Sequence, residues 1–182
     1  MCSSLINDIS RVLYSEEDIK QAVIKIAKEI ENDYQGKNVL LIGLLKGAAP
    51  FLCDLARNIN LNLSIDFMTA SSYYNGTETT GTVTITKDIS TKVEDKHIII
   101  IDDVADSGVT LNYLVEYLKA KNPLSVKTCA LLDKPHRRTV EFNVDYFGMI
   151  APNHFVVGYG MDYQEKYRQL PYIGILKETV YS

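Results

Sequence analysis

The chain has 182 residues, 46% of them apolar, with a formal net charge of -4 at pH 7, which suits one domain with a sizeable core. That acidic balance argues against nucleic acid or an anionic membrane as a partner, and no apolar run approaches the length of a membrane span. Cys2, Cys53 and Cys129 have neither disulfide nor metal spacing, so they read as reduced thiols, with Cys53 and Cys129 expected in the core; Met1 to Ile6 lacks the apolar stretch of a secretory signal, so a cytoplasmic place is expected.

A first helix is predicted from Ser15. Ser15 can cap it, and Glu16, Glu17 and Asp18 suit the positive end of its dipole. Ile19, Ala22, Val23, Ile26, Ala27 and Ile30 then fall on one face. Val39 to Leu45 is continuously apolar, as in a strand buried on both faces. Lys46-Gly47 breaks it, and a second helix is predicted from about Pro50 to Ile59.

From Leu61 to Tyr74, Leu63, Ile65 and Phe67 alternate with Asn62, Ser64 and Asp66, which predicts a strand with one wet face. Asn75-Gly76 turns the chain, and Thr77 to Thr82 reads as a mobile loop before a return strand at Val83 and Ile85. His97 to Ile101 is a second apolar strand, and Val109 to Lys121 a helix with Leu111, Leu114, Val115 and Leu118 on one side. Leu124 to Leu132, Val144 to Ile150, Phe155 to Val157 and Ile173 to Leu176 are further strand candidates. Helices alternating with buried strands indicate an α/β fold with a mostly parallel sheet, whose ligands bind beyond the carboxyl ends of the strands.

The run Ile98-Ile99-Ile100-Ile101-Asp102-Asp103-Val104-Ala105-Asp106-Ser107-Gly108-Val109-Thr110 lies at such an end. The loop Asp106 to Thr110 opens a helix, so its N–H groups and two hydroxyls can hold a phosphate monoester. Gly108 lets the backbone come close. Asp102 and Asp103 offer hard oxygens to magnesium or acceptors to sugar hydroxyls. Adjacent strand residues point to opposite faces, so both can reach one ligand only where the strand is ending.

This motif resembles the phosphoribosyl pyrophosphate signature of type I phosphoribosyltransferases. The first acidic position, often Glu, is Asp102 here, and Val104-Ala105 is slimmer than the usual aliphatic pair. Leu44-Leu45-Lys46-Gly47-Ala48 resembles the pyrophosphate loop of the hypoxanthine-guanine branch, in which the peptide before the lysine can be cis. Ser71-Ser72-Tyr73 and the polar stretch after it resemble that branch's lid, with Ser72 and Tyr73 closing over the pyrophosphate. Lys134, ending Leu131-Leu132-Asp133-Lys134, matches a lysine that recognises the purine 6-oxo group. The basic neighbours His136, Arg137 and Arg138 are assigned to surface solvation or a subunit contact. The run Phe155 to Arg168 is similar to the purine-binding segment, with Phe155 stacking on the base and Val156 offering backbone groups to its edge. Asp162 would help hold a magnesium–water shell, and Arg168 would neutralise pyrophosphate.

The resemblance implies a single domain over 1–182, a flexible lid near 71–82, and a small hood formed by the chain ends with a purine-binding segment near 144–176. It implies transfer of a phosphoribosyl group from phosphoribosyl pyrophosphate to hypoxanthine or guanine, with Mg2+, in a homodimer or homotetramer. Magnesium would be held by substrate oxygens and Asp102, Asp103 or Asp162. Asp106 would be the general base, accepting the purine N7 proton. The competing reading, a nucleic-acid-binding regulator on the same fold, is disfavoured by the acidic balance and by the retained Asp106, lid and purine segment.

Overall fold

Ser15 starts the long helix α2 (Glu16–Asp33) with a reciprocal cap: its hydroxyl accepts from the Asp18 amide at 3.2 Å, and Asp18 accepts from the Ser15 amide at 2.8 Å. The six apolar residues predicted for its inner face are all buried. The structure, a computed structural model, describes residues 3–72 and 83–181. Before α2 come α1 (Ser3–Asn7) and β1 (Ile9–Tyr14), and after it β2 (Val39–Leu44), α3 (Ala49–Asn58), β3 (Leu63–Ser72) and β4 (Val83–Lys87). The chain continues through β5 (His97–Ala105), α4 (Val109–Lys119), β6 (Ser125–Asp133) and a 3-10 turn over Pro135–Arg137. It closes with β7 (Tyr146–Ile150), β8 (Val156–Val157), β9 (Ile173–Leu176) and α5 (Glu178–Tyr181).

The main sheet has six strands in the order β4-β3-β2-β5-β6-β7, parallel except for β4, which returns antiparallel on β3. β2 is apolar throughout, and β5 is so from Ile98 to Ile101, because both faces are covered there. One core cluster takes Leu41, Ile99 and Leu131 from the sheet together with α2 and α3; the other takes Leu40, Ile98 and Ile100 with α4. A second sheet of three strands, β1-β9-β8, joins the two ends of the chain into a small hood. Val156, Met161, Ile173 and Ile175 of the hood region belong to the first core cluster, which fixes the hood to the sheet. Among the described residues no helix is long and apolar enough to cross a membrane.

The structure corrects the phase of β3. Ile65, expected inside, is 42% exposed, whereas Asp66, expected on a wet face, is 8% exposed. Flanked by β2 and β4, this strand packs Leu63 and Phe67 toward one core and Met68 toward the other. Asp66 is inside because three amides need an acceptor: those of Phe67, Ser90 and Thr91, at 2.7, 2.8 and 2.8 Å. Burial raises its pKa, but these bonds outweigh burial and hold the carboxyl well below the usual range. A depressed pKa stabilises the fold above the unfolded value of about 3.9 and ceases to do so as pH falls through the folded value. Asp66→Ala is expected to cost about 2–3 kcal/mol at neutral pH, read from denaturant unfolding, with a smaller difference in strong acid.

Cys53 is a second correction. Cys129 is buried, but Cys53 lies on the exposed side of α3, which turns Phe51, Leu52 and Leu55 inward instead. β1, α1 and α5 were not predicted at all; β1 is a half-exposed strand whose partner, β9, is distant in sequence.

Candidate active site

The carboxyl ends of three adjacent parallel strands carry the predicted chemistry. β2 runs into Lys46 and Gly47, β5 into Asp106, and β6 into Lys134. Two cavities open there. One, of about 440 Å³, is lined by Lys134, Phe155, Val156 and Asp162 together with Asp103 and Asp106. The other, of about 510 Å³, is lined by Asp102, Asp106, Ser107, Gly108 and Thr110. Val104, Asp106 and Arg137 line both, so they mark the junction.

The second cavity has the form of an anion cradle. Gly108, at φ 83°, is left-handed and opens α4, whose first residues are Val109 and Thr110. The loop's carbonyls are turned away and fastened. Arg138 donates to the carbonyls of Ala105 and Asp106 at 2.7 and 2.5 Å, and the Thr139 amide donates to the Ser107 carbonyl at 3.0 Å. With its carbonyls held from behind, the loop has the form that leaves N–H groups for an anion, although the Val109 amide is engaged by Ser107 Oγ at 3.4 Å. Arg138 is itself half-buried and paired with Asp133. It is therefore not a solvated arginine, one of the two roles assigned to it from the sequence.

Arg137 is likewise corrected. Its Nε donates to Asp106 Oδ1 at 2.7 Å and its guanidinium to Asn153 Oδ1 at 3.1 Å. Of the basic trio, His136 stays exposed as expected. The sequence carried a signal, two arginines just beyond the strand-end lysine, but direction was set by the 3-10 turn. Asn153 carried no signal.

In the first cavity Lys134 is 6% exposed, with Nζ donating to the His154 carbonyl at 3.0 Å and lying 3.9 Å from Asp106 Oδ2. Burial lowers its pKa, partly offset by Asp106. Phe155 keeps 38% of its surface exposed and is braced edge-on by Tyr163 and, tilted by 31°, by Tyr181 of α5. Tyr181, which lines this cavity, was missed because α5 has only four residues and no clear periodicity.

Asp102 and Asp103 do not sit at a strand end. β5 continues to Ala105, with Asp102 opposite Ala130 and Val104 opposite Leu132 on β6. The two carboxylates accordingly line different cavities. Burial first, then the neighbouring Asp103 charge, holds Asp102 well above the usual range; burial also raises Asp103. Neighbouring carboxylates whose charge burial disfavours are suited to a divalent cation, which restores the ionised form. Hard oxygens are the right donors for magnesium, which commonly takes one or two carboxylates and completes its shell with phosphate and water. Asp162 stands apart: Oδ1 pairs with Arg168 at 2.8 Å and Oδ2 accepts from the Glu165 amide at 2.8 Å. Among the described residues no group of three acidic, histidine or cysteine side chains could hold a metal without further ligands.

The Leu45–Lys46 peptide is cis. Gly47 admits no side chain, since a Cβ there would lie 2.0 Å from Asp103 Oδ2. Across the site, Gly160 at φ 98° comes so close that its Cβ would lie 2.1 Å from the Gly47 carbonyl oxygen. Lys46 Nζ reaches Glu165 Oε2 at 2.7 Å, and Arg168 donates to the Gly160 carbonyl at 2.7 Å. The loop after β2 and the segment 158–168 thus form one unit. Of the lid expected near 71–82, Ser71 and Ser72 end β3, and Tyr73 with the rest lies outside the described residues.

A glycine-opened helix start lines one cavity, beside a second with an aromatic wall and a buried lysine, at the carboxyl ends of a mostly parallel sheet; this defines an α/β protein with a two-part site suited to an anion and a planar group. The phosphoribosyl transferase domain model matches residues 12–164. The hypoxanthine-guanine phosphoribosyltransferase of Streptococcus agalactiae serotype V is 47% identical over 97% of this chain and 98% of its own length. A crystal structure of a hypoxanthine phosphoribosyltransferase from Staphylococcus aureus superposes with a TM-score of 0.96 at 46% identity, covering 100% of this chain and 99% of that one. The bifunctional protein TilS/HprT of Listeria monocytogenes serotype 4b is 49% identical over 98% of this chain, which spans 28% of that longer protein. The chain belongs to the phosphoribosyl transferase family, in the hypoxanthine-guanine branch.

Proposed function

We propose that the chain transfers the 5-phosphoribosyl group of phosphoribosyl pyrophosphate to hypoxanthine or guanine, giving IMP or GMP and pyrophosphate in purine salvage. The observation that carries this reading is the meeting of the two cavities at Asp106. One suits a purine and the other a sugar phosphate, so the reacting atoms would meet at the junction. The names of the near full-length relatives point the same way.

In this reading the purine lies against Phe155, with its edge toward the Val156 backbone and its 6-oxo group facing the Lys134 ammonium. The His154 carbonyl orients that ammonium and leaves two of its protons for other acceptors. The amides of Ser107, Gly108, Val109 and Thr110 hold the 5-phosphate. Lys46, Gly47 and Arg168 receive the pyrophosphate, with Ser72 and Tyr73 closing over it. Asp106 accepts the N7 proton as N9 bonds to the anomeric carbon and the pyrophosphate oxygen leaves. No protein nucleophile is needed; the task is alignment and charge neutralisation. Asp102, Asp103 or Asp162 would hold magnesium together with substrate oxygens; Asp103 and Asp162 line the same cavity and Asp102 the other, and the ion when bound would offset charge on the leaving pyrophosphate.

The reading extends to a single domain over 1–182, with a lid near 71–82 and a purine-binding segment near 144–176, of which β7 belongs to the main sheet and β8 and β9 to the hood. It also includes a homodimer or homotetramer, tested by light scattering, and action in the cytoplasm, where free Cys53 and Cys129 would stay reduced. The deciding experiment is a spectrophotometric assay with phosphoribosyl pyrophosphate, with and without magnesium, offering hypoxanthine, guanine, xanthine and adenine separately. Magnesium-dependent nucleotide formation with hypoxanthine or guanine is expected. Turnover of xanthine alone would move the specificity, and no turnover by folded protein would defeat the reading.

Recognition of the 6-oxo group requires Lys134 as an ammonium. That form exists below its pKa and is lost as pH rises through it, and burial has lowered that pKa. The KM for hypoxanthine is therefore expected to rise in alkaline solution at a lower pH than an exposed lysine would give. A pH series of KM checks this, with Lys134→Gln expected to show a high, flat profile.

A further inference from the structure

Glu165 bridges the two cations assigned to pyrophosphate. One carboxylate oxygen lies 2.7 Å from Lys46 Nζ and the other 3.1 Å from Arg168 Nη2. Each oxygen thus serves one cation, as two oxygens of a diphosphate would. The Lys46 and Arg168 bonds also hold the carboxyl below its usual pKa range, consistent with a charge already matched.

The backbone makes this contact at some cost. Tyr163 and Lys166 bond each other across a tight turn, at 3.2 and 3.0 Å. Its two central residues, Gln164 and Glu165, have φ of 51° and 63°. Turns with both central residues left-handed favour Asn and Gly, and a long side chain there is uncommon. An unfavourable backbone conformation held at a ligand-facing position points to what its side chain does. Glu165 is also easily removed: its side chain is 63% exposed, so swinging into water costs it no burial. Arg168 cannot follow, because Gly160 and Asp162 hold the same guanidinium at 2.7 and 2.8 Å.

We infer that Glu165 is a built-in counter-anion that holds Lys46 and Arg168 in place, is displaced by the incoming diphosphate, and weakens pyrophosphate binding so that the product leaves. The inference rests on the reading that Lys46 and Arg168 receive pyrophosphate. Glu165 acts through those two cations and is a positioning residue.

The test is calorimetric titration of inorganic pyrophosphate, with magnesium, into the full chain and its Glu165→Gln variant. Exposed ion pairs are weak, so a gain of roughly three- to ten-fold in pyrophosphate affinity is expected. Product inhibition by pyrophosphate should strengthen by a similar factor. A residue needed only for structure would lose affinity on substitution, not gain it. Glu165→Asp, which keeps the charge, should fall between wild type and Glu165→Gln. Glu94→Gln controls for net charge: this exposed residue precedes β5, at the far end of the sheet from the site, and should leave the affinity unchanged. Equal or weaker binding by Glu165→Gln, or an equal gain in Glu94→Gln, overturns the inference. If the wild type forms nucleotide and binds pyrophosphate, that result leaves the functional reading standing. A wild type that does neither sinks both.

Discussion

Asp106→Asn is expected to lower turnover with hypoxanthine at least about 100-fold, while hypoxanthine affinity changes no more than roughly two-fold. Asparagine keeps the size of the side chain and an oxygen that can still accept from Arg137 Nε, which lies 2.7 Å away in the native chain. The loop should therefore keep its shape, since Arg138 fastens it through the carbonyls of Ala105 and Asp106, not through the carboxylate. What asparagine cannot do is take a proton. In the proposed reading base binding relies on Lys134, Phe155 and Val156, which line the same cavity but lie outside the 106–110 loop. Single-turnover kinetics for the chemical step and calorimetry for the base separate the two effects. Near-normal turnover would remove Asp106 from the role of base. An equal loss in turnover and in base affinity would make it a binding residue.

Gly47→Ala should be as damaging by a different route. The added Cβ would sit 2.0 Å from Asp103 Oδ2 and 2.6 Å from its Cγ, far inside contact distance. Neither side can yield freely. Gly160 presses on the Gly47 carbonyl from across the site, and Asp103 is half-buried within β5 with its other oxygen, Oδ1, accepting from the Val104 amide at 3.0 Å. Relief requires a shift of the order of an ångström in the loop, in Asp103, or in both, and misplacement on that scale costs up to about 100-fold in rate. The loss is expected in kcat/KM for phosphoribosyl pyrophosphate, with hypoxanthine affinity much less affected. Steady-state kinetics with each substrate varied in turn would show it. A variant with ordinary kinetics would mean that the loop after β2 lies away from the chemistry.

The sequence by itself determined the class of fold and the family. Helical spacing fixed the inner face of α2, and continuous apolar runs identified β2 and the first half of β5, because strand residues covered on both faces are apolar; the extension of β5 through Asp102 and Asp103 was not visible that way. The strand-to-loop-to-helix run ending in Asp106-Ser107-Gly108-Val109-Thr110 was legible because anion binding at a helix start is a local property of the backbone. The tertiary structure alone decided matters that depend on neighbours distant in sequence. Hood strand β1 finds its partner in β9, from the other end of the chain, and no local pattern encodes that pairing. Asp66 is buried by amides more than twenty residues away, reversing the face that alternation assigned to it. Arg137 and Arg138 look like any surface pair in the sequence; a short turn aims one at Asp106 and the other under the phosphate loop. Periodicity reports which residues avoid water, whereas the partner of a charged group is set by whatever the fold brings within hydrogen-bonding distance.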